Sequence, residues 1–129
     1  TVVSGLSFCI GIALDLDAGK LDRRDETDDL IGRSDLDGSN AETLLTSGLD
    51  MPRGIDVADG VVYWADRGSQ SIQRLAVAAA TTTTLVSGMS FVQDVAVDTE
   101  NSTLYWTDDD VSGTNGILYQ AALDGSGQS

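Results

Sequence analysis

Two runs of acidic residues have the composition best suited to chemistry, because clustered carboxylates supply the oxygen ligands that Ca²⁺ prefers. The runs are DETDD at 25–29 and DDD at 108–110. Both follow the second strand of a predicted four-strand unit, so we expect them on one face of the molecule. The candidate Ca²⁺ ligands are Asp25, Asp28, Asp29, Asp108, Asp109 and Asp110. Solvated acidic loops without a metal ion are the alternative.

A third acidic segment, DLDGSN at 35–40, places side-chain oxygens at alternate positions, as the beginning of an EF-hand calcium loop does. The twelfth position of such a loop requires a bidentate Glu, and this sequence has Thr46 there. LDGS occurs again at 123–126, after another predicted strand. We therefore interpret both segments as β-turns.

Signatures of catalysis are absent from the sequence. It contains no His, which is the commonest general base, and no P-loop or nucleophile elbow. Asp56 and Asp94 are the only obvious catalytic candidates on the predicted inner strands, which carry mainly Ile, Ala, Val and Leu. We therefore predict a protein that is not an enzyme.

The charge balance excludes one class of partner. Asp and Glu number 21 against 7 Lys and Arg, for a net charge of −14, which repels a phosphate backbone. The longest apolar run, LAVAAA, is far shorter than the roughly 20 residues of a membrane span. We predict neither nucleic-acid binding nor membrane insertion.

No signal-peptide pattern precedes Thr1, which predicts a processed or excised chain. The single Cys9 cannot form an internal disulfide.

The sequence repeats itself about every 40 residues. VSGLSFCIGIALD at 3–15, TSGLDMPRGIDVA at 46–58 and VSGMSFVQDVAVD at 86–98 align without gaps. Each unit holds four short segments rich in Val, Ile, Leu, Thr and Tyr, separated by Gly, Asp, Asn or Ser, which predicts four antiparallel strands. A four-stranded unit with this period predicts an all-β fold built from β-propeller blades.

The second strand of each unit carries a further signal: LDRRD, VYWAD and LYWTD end at 25, 66 and 108. The last two resemble the YWTD repeat of the low-density lipoprotein receptor class B family, and the likeness covers the whole chain. It implies a six-bladed, extracellular, usually non-enzymatic propeller that binds other proteins. It also implies that the Tyr and Trp pack between blades and that the Asp accepts hydrogen bonds toward the neighbouring blade. These structural roles fall on Tyr63, Trp64, Asp66, Tyr105, Trp106 and Asp108.

The first unit departs from this pattern. Asp22, Arg23 and Arg24 stand where the family has Tyr, Trp and Thr, and only Asp25 is retained. Two guanidinium groups buried between blades are costly without carboxylate partners. The alternatives are a blade that is open on that side, pairing with acids such as Asp22, Asp25 and Glu26, or an altered sequence.

The two ends of the sequence continue each other. Joined tail to head they read LDGSGQSTVVSGLSF, which matches the internal LDGSNAETLLTSGLDM in order from LDGS through TVV, with one residue fewer before SGL. Residues 11–48 and 54–88 each supply a complete blade, whereas 92–129 lacks an outer strand. The missing strand matches Thr1, Val2, Val3, Ser4 and Gly5. We therefore predict that residues 1–6 form the outer strand of the last blade of another copy.

Strand donation of this kind predicts head-to-tail association between copies. Two copies would close a six-bladed ring, a continuing series would form a filament, and a longer tandem repeat is the third alternative. We predict an extracellular structural and protein-interaction module, for example the repeating unit of a filament or surface coat. A ligand-binding propeller ectodomain of an endocytic or signalling receptor is the alternative.

The sequon at Asn101, on a predicted turn, is a candidate N-glycosylation site.

Overall fold

The computed structural model describes residues 1–110 and 112–129, which form three antiparallel sheets in chain order. The first sheet, blade 1, contains β1 (Cys9–Asp15), β2 (Lys20–Asp25), β3 (Leu30–Asp35) and β4 (Glu42–Leu45). Blade 2 contains β5 (Pro52–Ala58), β6 (Val61–Asp66), β7 (Ser71–Ala76) and β8 (Thr81–Ser87). Blade 3 contains β9 (Val92–Asp98), β10 (Thr103–Asp108) and β11 (Ile117–Ala122).

This architecture confirms the predicted all-β fold of propeller blades. In every sheet the strands pair with their neighbours in the sequence, as a meander of hairpins does. The only helical element among the described residues is one 3₁₀ turn, Val77–Ala79, between β7 and β8. Within the same part of the chain, no helix is long and apolar enough to cross a membrane.

The hairpin between β5 and β6 shows how local sequence sets the pairing register. Ala58 pairs with Val61 across a two-residue loop, Asp59-Gly60, in which both residues have positive φ (51° and 73°). A type I′ turn needs this conformation at both central positions, and Asp-Gly is among the sequences that adopt it most easily. The turn therefore aligns Ile55 with Trp64 and Val57 with Val62, which places these four residues on the face that packs against blade 1.

The hydrophobic core lies between the blades rather than within a single sheet. Between blades 1 and 2, Ala13 and Ile31 pack in one cluster with Ile55, Val62 and Trp64. Between blades 2 and 3, a second cluster joins residues of both sheets: Tyr63, Ala65, Ile72 and Val86 with Val92, Val95, Leu104, Trp106 and Ala121. Each sheet is thus stabilised chiefly by its neighbour, because burial of apolar surface is the main favourable term in folding.

We expect Ile72→Ala to lower the free energy of unfolding by about 2–5 kcal/mol, because Ile72 is fully buried between blades 2 and 3 and its removal leaves a cavity. Urea denaturation followed by tryptophan fluorescence measures the change. Leu36→Ala is the control, since Leu36 is 43% exposed and its truncation should cost much less. Equal losses in the two variants would contradict a core located between blades.

Candidate functional site

The two signature tryptophans lie on the side of their blade that faces the preceding blade. Trp64 is fully buried against Ala13 and Ile31 of blade 1. Trp106 is 1% exposed and packs in the cluster that contains Ala65 of blade 2. The indole of Trp106 also stacks on the Tyr119 ring, with centroids 5.6 Å apart. Both tryptophans are therefore placed as packing residues between blades.

The signature tyrosines lie on the opposite side, toward the following blade. Tyr63 is 3% exposed in the cluster between blades 2 and 3. Burial raises the pKa of its phenol, and the nearby Arg74 guanidinium opposes that shift. Tyr105 occupies the same position in blade 3 but is only half-buried, because no described sheet follows blade 3.

The signature aspartates accept hydrogen bonds from the connection that arrives from the preceding blade. The carboxylate of Asp108 accepts the backbone N–H groups of Ser90 (3.0 Å) and Phe91 (2.6 Å). Asp66 accepts the N–H of Asp50 at 3.0 Å and the indole N–H of Trp64 at 3.3 Å. Each carboxylate therefore ties the end of a second strand to the chain segment that leads into its own blade.

Asp25 has the same role in blade 1, although its neighbours are not aromatic. It accepts the N–H groups of Ser7 (3.0 Å), Phe8 (3.2 Å), Thr27 (3.1 Å) and Asp28 (3.3 Å). Burial alone would raise the pKa of the Asp25 carboxyl, but these amide donors together lower it below the usual value. The charged carboxylate is thus the form that the fold stabilises.

Blade 1 has arginines where the other blades have aromatic and small residues. Arg33 donates two hydrogen bonds to Asp22, from Nε at 2.8 Å and Nη2 at 2.9 Å, and both residues are buried. The guanidinium of Arg23 lies over Gly32, at a distance that leaves no room for a Cβ. Arg24 donates from Nε to the carbonyl of Arg53 in blade 2, at 2.7 Å. Of the acids proposed as partners, Asp22 binds Arg33 and Asp25 binds backbone amides, so Glu26 alone remains near Arg24.

The side of blade 1 that faces away from blade 2 is an exposed apolar surface, which we name the leading face. It consists of alternate residues of β1 and the turn after it: Ile10, Ile12, Leu14 and Leu16, which are 48–71% exposed. In blade 2 the positions of Ile12 and Leu14 are held by Ile55 and Val57, which are 7% and 8% exposed against blade 1. The leading face therefore repeats a surface that is buried inside the chain.

The opposite end of the chain has a matching surface, which we name the trailing face. It consists of the blade 3 residues Tyr105, Thr107, Leu118 and Gln120. Their counterparts in blade 2 are Tyr63, Ala65, Ile72 and Arg74, of which the first three are buried against blade 3. Leu118 is 68% exposed where Ile72 is fully buried. The trailing face therefore presents the other half of an interblade interface.

The outer edge of blade 3 is also incomplete. Gln120 and Ser129 exchange two backbone hydrogen bonds of 3.0 Å, as the first residue pair of a fourth strand would. Blade 1 has the equivalent pair, Arg33 and Glu42, at the beginning of β4. Among the described residues, Leu118 pairs with Thr107 of β10 on one side, and no strand pairs with it on the outer side of β11.

The segment Thr1–Gly5 forms no strand with any sheet of this chain. The backbone carbonyl of Val2 lies directly against Gly38, in the turn between β3 and β4. At the interface between blades 2 and 3, the carbonyl of Leu85 on β8 lies against Gly125 of blade 3 in the same way. The first residues therefore stand beside blade 1 where the outer strand of a preceding blade would stand.

The acidic loops show no metal centre. Asp110 is engaged with its own loop, where it accepts Ser112 Oγ at 2.6 Å and Asn115 Nδ2 at 2.7 Å, and these donors lower its pKa well below the usual range. Across residues 1–110 and 112–129, no three His, Cys, Asp or Glu side chains are grouped closely enough to hold a metal ion. The Ca²⁺ sites expected at 25–29 and 108–110 stay a prediction.

The sequon residue Asn101 is exposed in the turn between β9 and β10. Its side-chain amide donates to Asp98 at 2.7 Å. An exposed turn is the location that N-glycosylation requires. Glycosylation at Asn101 stays a prediction.

Solved structures share this fold. The chain superimposes on a structure from a nidogen/laminin complex with a TM-score of 0.86 and 23% identity, covering 94% of this chain and 46% of that one. It matches a gluconolactonase from Xanthomonas campestris with a TM-score of 0.80 and 18% identity, over 100% and 48% of the two chains. It matches a luciferin-regenerating enzyme with a TM-score of 0.74 and 22% identity, over 98% and 48%. The chain thus spans about half the length of these structures, and no protein-family model matches it.

The prediction that the chain is not an enzyme is contradicted by this comparison, because two of the matched structures are named as enzymes. The physical reason is that a propeller can assemble a central site from side chains of several blades, so a short catalytic motif is not required in any one of them. At 18% and 22% identity the likeness shows the fold alone and assigns no catalytic residue here. What the structure and the comparisons establish is a partial β-propeller.

We expect Asp25→Asn to lower the free energy of unfolding at pH 7 by about 1–3 kcal/mol, because the replacement removes a charge that several amides stabilise. The folded-state pKa of Asp25 is depressed, so its contribution is complete above the unfolded pKa of about 4 and is lost as the pH falls through the folded value. The difference between the two proteins should therefore shrink in urea denaturation at about pH 3. Asp17→Asn on an exposed turn is the control, and a difference that does not change with pH would contradict this role.

Proposed function

We propose that this chain is a propeller interaction module whose copies pack head to tail, with the leading face of one against the trailing face of the next. The observation that carries the proposal is that both open faces repeat the two sides of an interface already present inside the chain. Ile12 and Leu14 correspond to the buried Ile55 and Val57, and Leu118 corresponds to the buried Ile72. Each pair would be buried again when copies meet.

The geometry of the ring sets the copy number. The chain contains three blades and spans about half of the propeller structures that it matches. The proposed contact is heterologous, so it either closes into a ring or continues as a filament. If neighbouring blades are rotated relative to each other by the angle of a six-bladed ring, two copies of this chain close the ring. A slightly different angle at the interface between copies gives a filament instead.

The open edge of blade 3 supports the same arrangement. In the packed assembly, Thr1–Gly5 of one copy would continue from Ser129 of the other as the fourth strand of blade 3. Val2 and Val3 would then take the places of Leu44 and Leu45, which are partly buried in blade 1. Complete burial of such a side chain contributes about 1.5–3 kcal/mol, so partial burial contributes less, and each new ladder hydrogen bond adds about 0.5–1.5 kcal/mol. If this sequence is part of a longer tandem repeat, the next repeat would supply the strand within one chain.

Charge opposes the association and so predicts its salt dependence. Each copy carries a net charge of −14, so two copies repel each other, while the residues that define the leading and trailing faces are all uncharged. Salt screens the repulsion without weakening apolar burial. Association should therefore be stronger at high salt than at low salt. An extracellular location, where Asn101 would be glycosylated, is part of the proposal.

The test uses one variant for each face of the 129-residue chain. Ile12→Asp places a charge on the leading face and Leu118→Asp places one on the trailing face, so each variant alone should be monomeric in sedimentation velocity. Because the interface joins unlike faces, an equimolar mixture should form a one-to-one dimer through the remaining intact pair. The wild type should associate more strongly than the mixture, since both of its faces are intact.

Thr83→Asp on the exposed strand β8 is the charge-matched control and should associate like the wild type. The head-to-tail proposal is wrong if the wild type stays monomeric at all concentrations. It is also wrong if either face variant alone still dimerises, because that result would indicate like faces in contact.

A further inference from the structure

A cavity of about 470 Å³ opens where the inner strands of the three blades begin. Arg24 of blade 1 and Arg53 of blade 2 line it, with Gly11 and Gly54 beside them. A Cβ added at Gly11 would lie 3.0 Å from the Arg24 side chain, and one added at Gly54 would overlap Asp94 of blade 3. The two glycines therefore make room for the side chains of Arg24 and Asp94 at the wall of the cavity.

The two arginines have donors that the fold does not use. The side chain of Arg24 is fully buried, yet its Nη1 and Nη2 have no hydrogen-bond partner among the described residues. The Nε of Arg53 is buried and, in the same part of the chain, is also without a partner. Leaving a buried charged donor unsatisfied costs at least as much as losing a hydrogen bond. These donors have almost no accessible surface, so an anionic ligand would reach them only by moving a neighbouring side chain aside.

Glu26 is the only carboxylate within 4 Å of both guanidiniums in the described chain. Its Oε2 lies 3.6 Å from Arg24 Nη2 and its Oε1 lies 3.7 Å from Arg53 Nη2. Both distances are too long for a hydrogen bond between these atoms. Glu26 therefore neutralises part of the positive charge of the two arginines but accepts no hydrogen bond from the Nη2 atoms nearest to it. An external carboxylate would compete with Glu26 for these guanidinium groups.

We propose that Arg24 and Arg53 form a binding site for the carboxylate of a small organic acid. Planar carboxylates match the forked donors of guanidinium groups, which bind them through two parallel hydrogen bonds. A cavity of about 470 Å³ has the size of a small-molecule site.

Asp94 limits the charge of that ligand. Its carboxylate lines the same cavity, and its Oδ1 accepts the N–H of Val95 at 2.9 Å. Together with Glu26 it places two negative charges near the two arginines. The site therefore favours a singly charged acid over a phosphate dianion, since a second negative charge would be repelled by Asp94.

The experiment titrates the full chain with sodium acetate at constant ionic strength, with sodium chloride as the balancing salt. The Nε–H resonances of Arg24 and Arg53, observed by NMR, should shift and saturate with acetate. Sodium phosphate near neutral pH should produce a weaker response. Arg53→Gln should weaken acetate binding by about tenfold or more, because it removes a charged donor pair. Glu26→Gln should tighten acetate binding, because it removes the internal competitor.

Lys20→Gln is the control, because it removes one positive charge at a distant ion pair with Asp35. It should bind acetate as the wild type does. The proposal is overturned if chloride alone causes the same shifts, if phosphate binds more tightly than acetate, or if Arg53→Gln and Lys20→Gln weaken binding equally. An unchanged affinity in Glu26→Gln would overturn the role of Glu26 as competitor.

Discussion

The structure depends on the burial of one blade against the next. A four-stranded sheet has two faces and cannot bury either of them alone, so each blade becomes stable by covering its neighbour. Trp64 and Ile72 are fully buried in this way, one on each side of blade 2. The end blades meet the same requirement on one side only. Their uncovered faces, with Ile12 at 65% and Leu118 at 68% exposure, follow directly from this arrangement.

Blade 1 shows that the interface tolerates a change of chemistry when polar groups are paired. Asp22 stands in place of the tyrosine of the other blades and forms a bidentate buried pair with Arg33, whose counterpart in blade 2 is Arg74. Such a pair recovers in hydrogen bonds much of what desolvation costs, so it is compatible with the fold without being strongly stabilising. Arg24 is only partly compensated, by one backbone carbonyl and a distant Glu26. This incomplete pairing is the origin of the proposed acid site, and it lies where the sequence departs most from its own repeat.

Much of the fold could be predicted from the sequence because its signals are local. Alternating apolar residues, the Asp-Gly turn at 59–60 and the recurrence of Gly5, Gly48 and Gly88 are all visible without a structure. The 3₁₀ turn at Val77–Ala79 was not predicted. It ends at Ala80 with φ of 49°, a left-handed conformation in which alanine has no advantage, so the surrounding strands must impose it.

The candidate site was far less predictable, because its residues meet only through packing between blades. Arg24 and Arg53 come from different sheets, and no pattern in the sequence brings them together. The sequence does not rank Asp22, Asp25 and Glu26 as partners of Arg23 and Arg24, whereas in the structure Asp22 pairs with Arg33 and Asp25 accepts backbone amides. The acidic runs that suggest Ca²⁺ binding lie in loops such as that of Asp110, where the carboxylate accepts hydrogen bonds from neighbouring hydroxyl and amide groups. Composition shows that carboxylates are present, but only the backbone path decides whether they converge.

The most direct test of the central claim, that the open surfaces of one copy are completed by another, is the hydrogen exchange of the Leu118 amide. Strand alternation directs this N–H toward the missing fourth strand, two residues from the Gln120 amide that already bonds Ser129. Exchange of the Leu118 amide, followed by NMR over a range of protein concentrations, should be fast in dilute solution and become slow as copies associate. Exchange that stays fast at concentrations where the chain is fully associated would contradict the account.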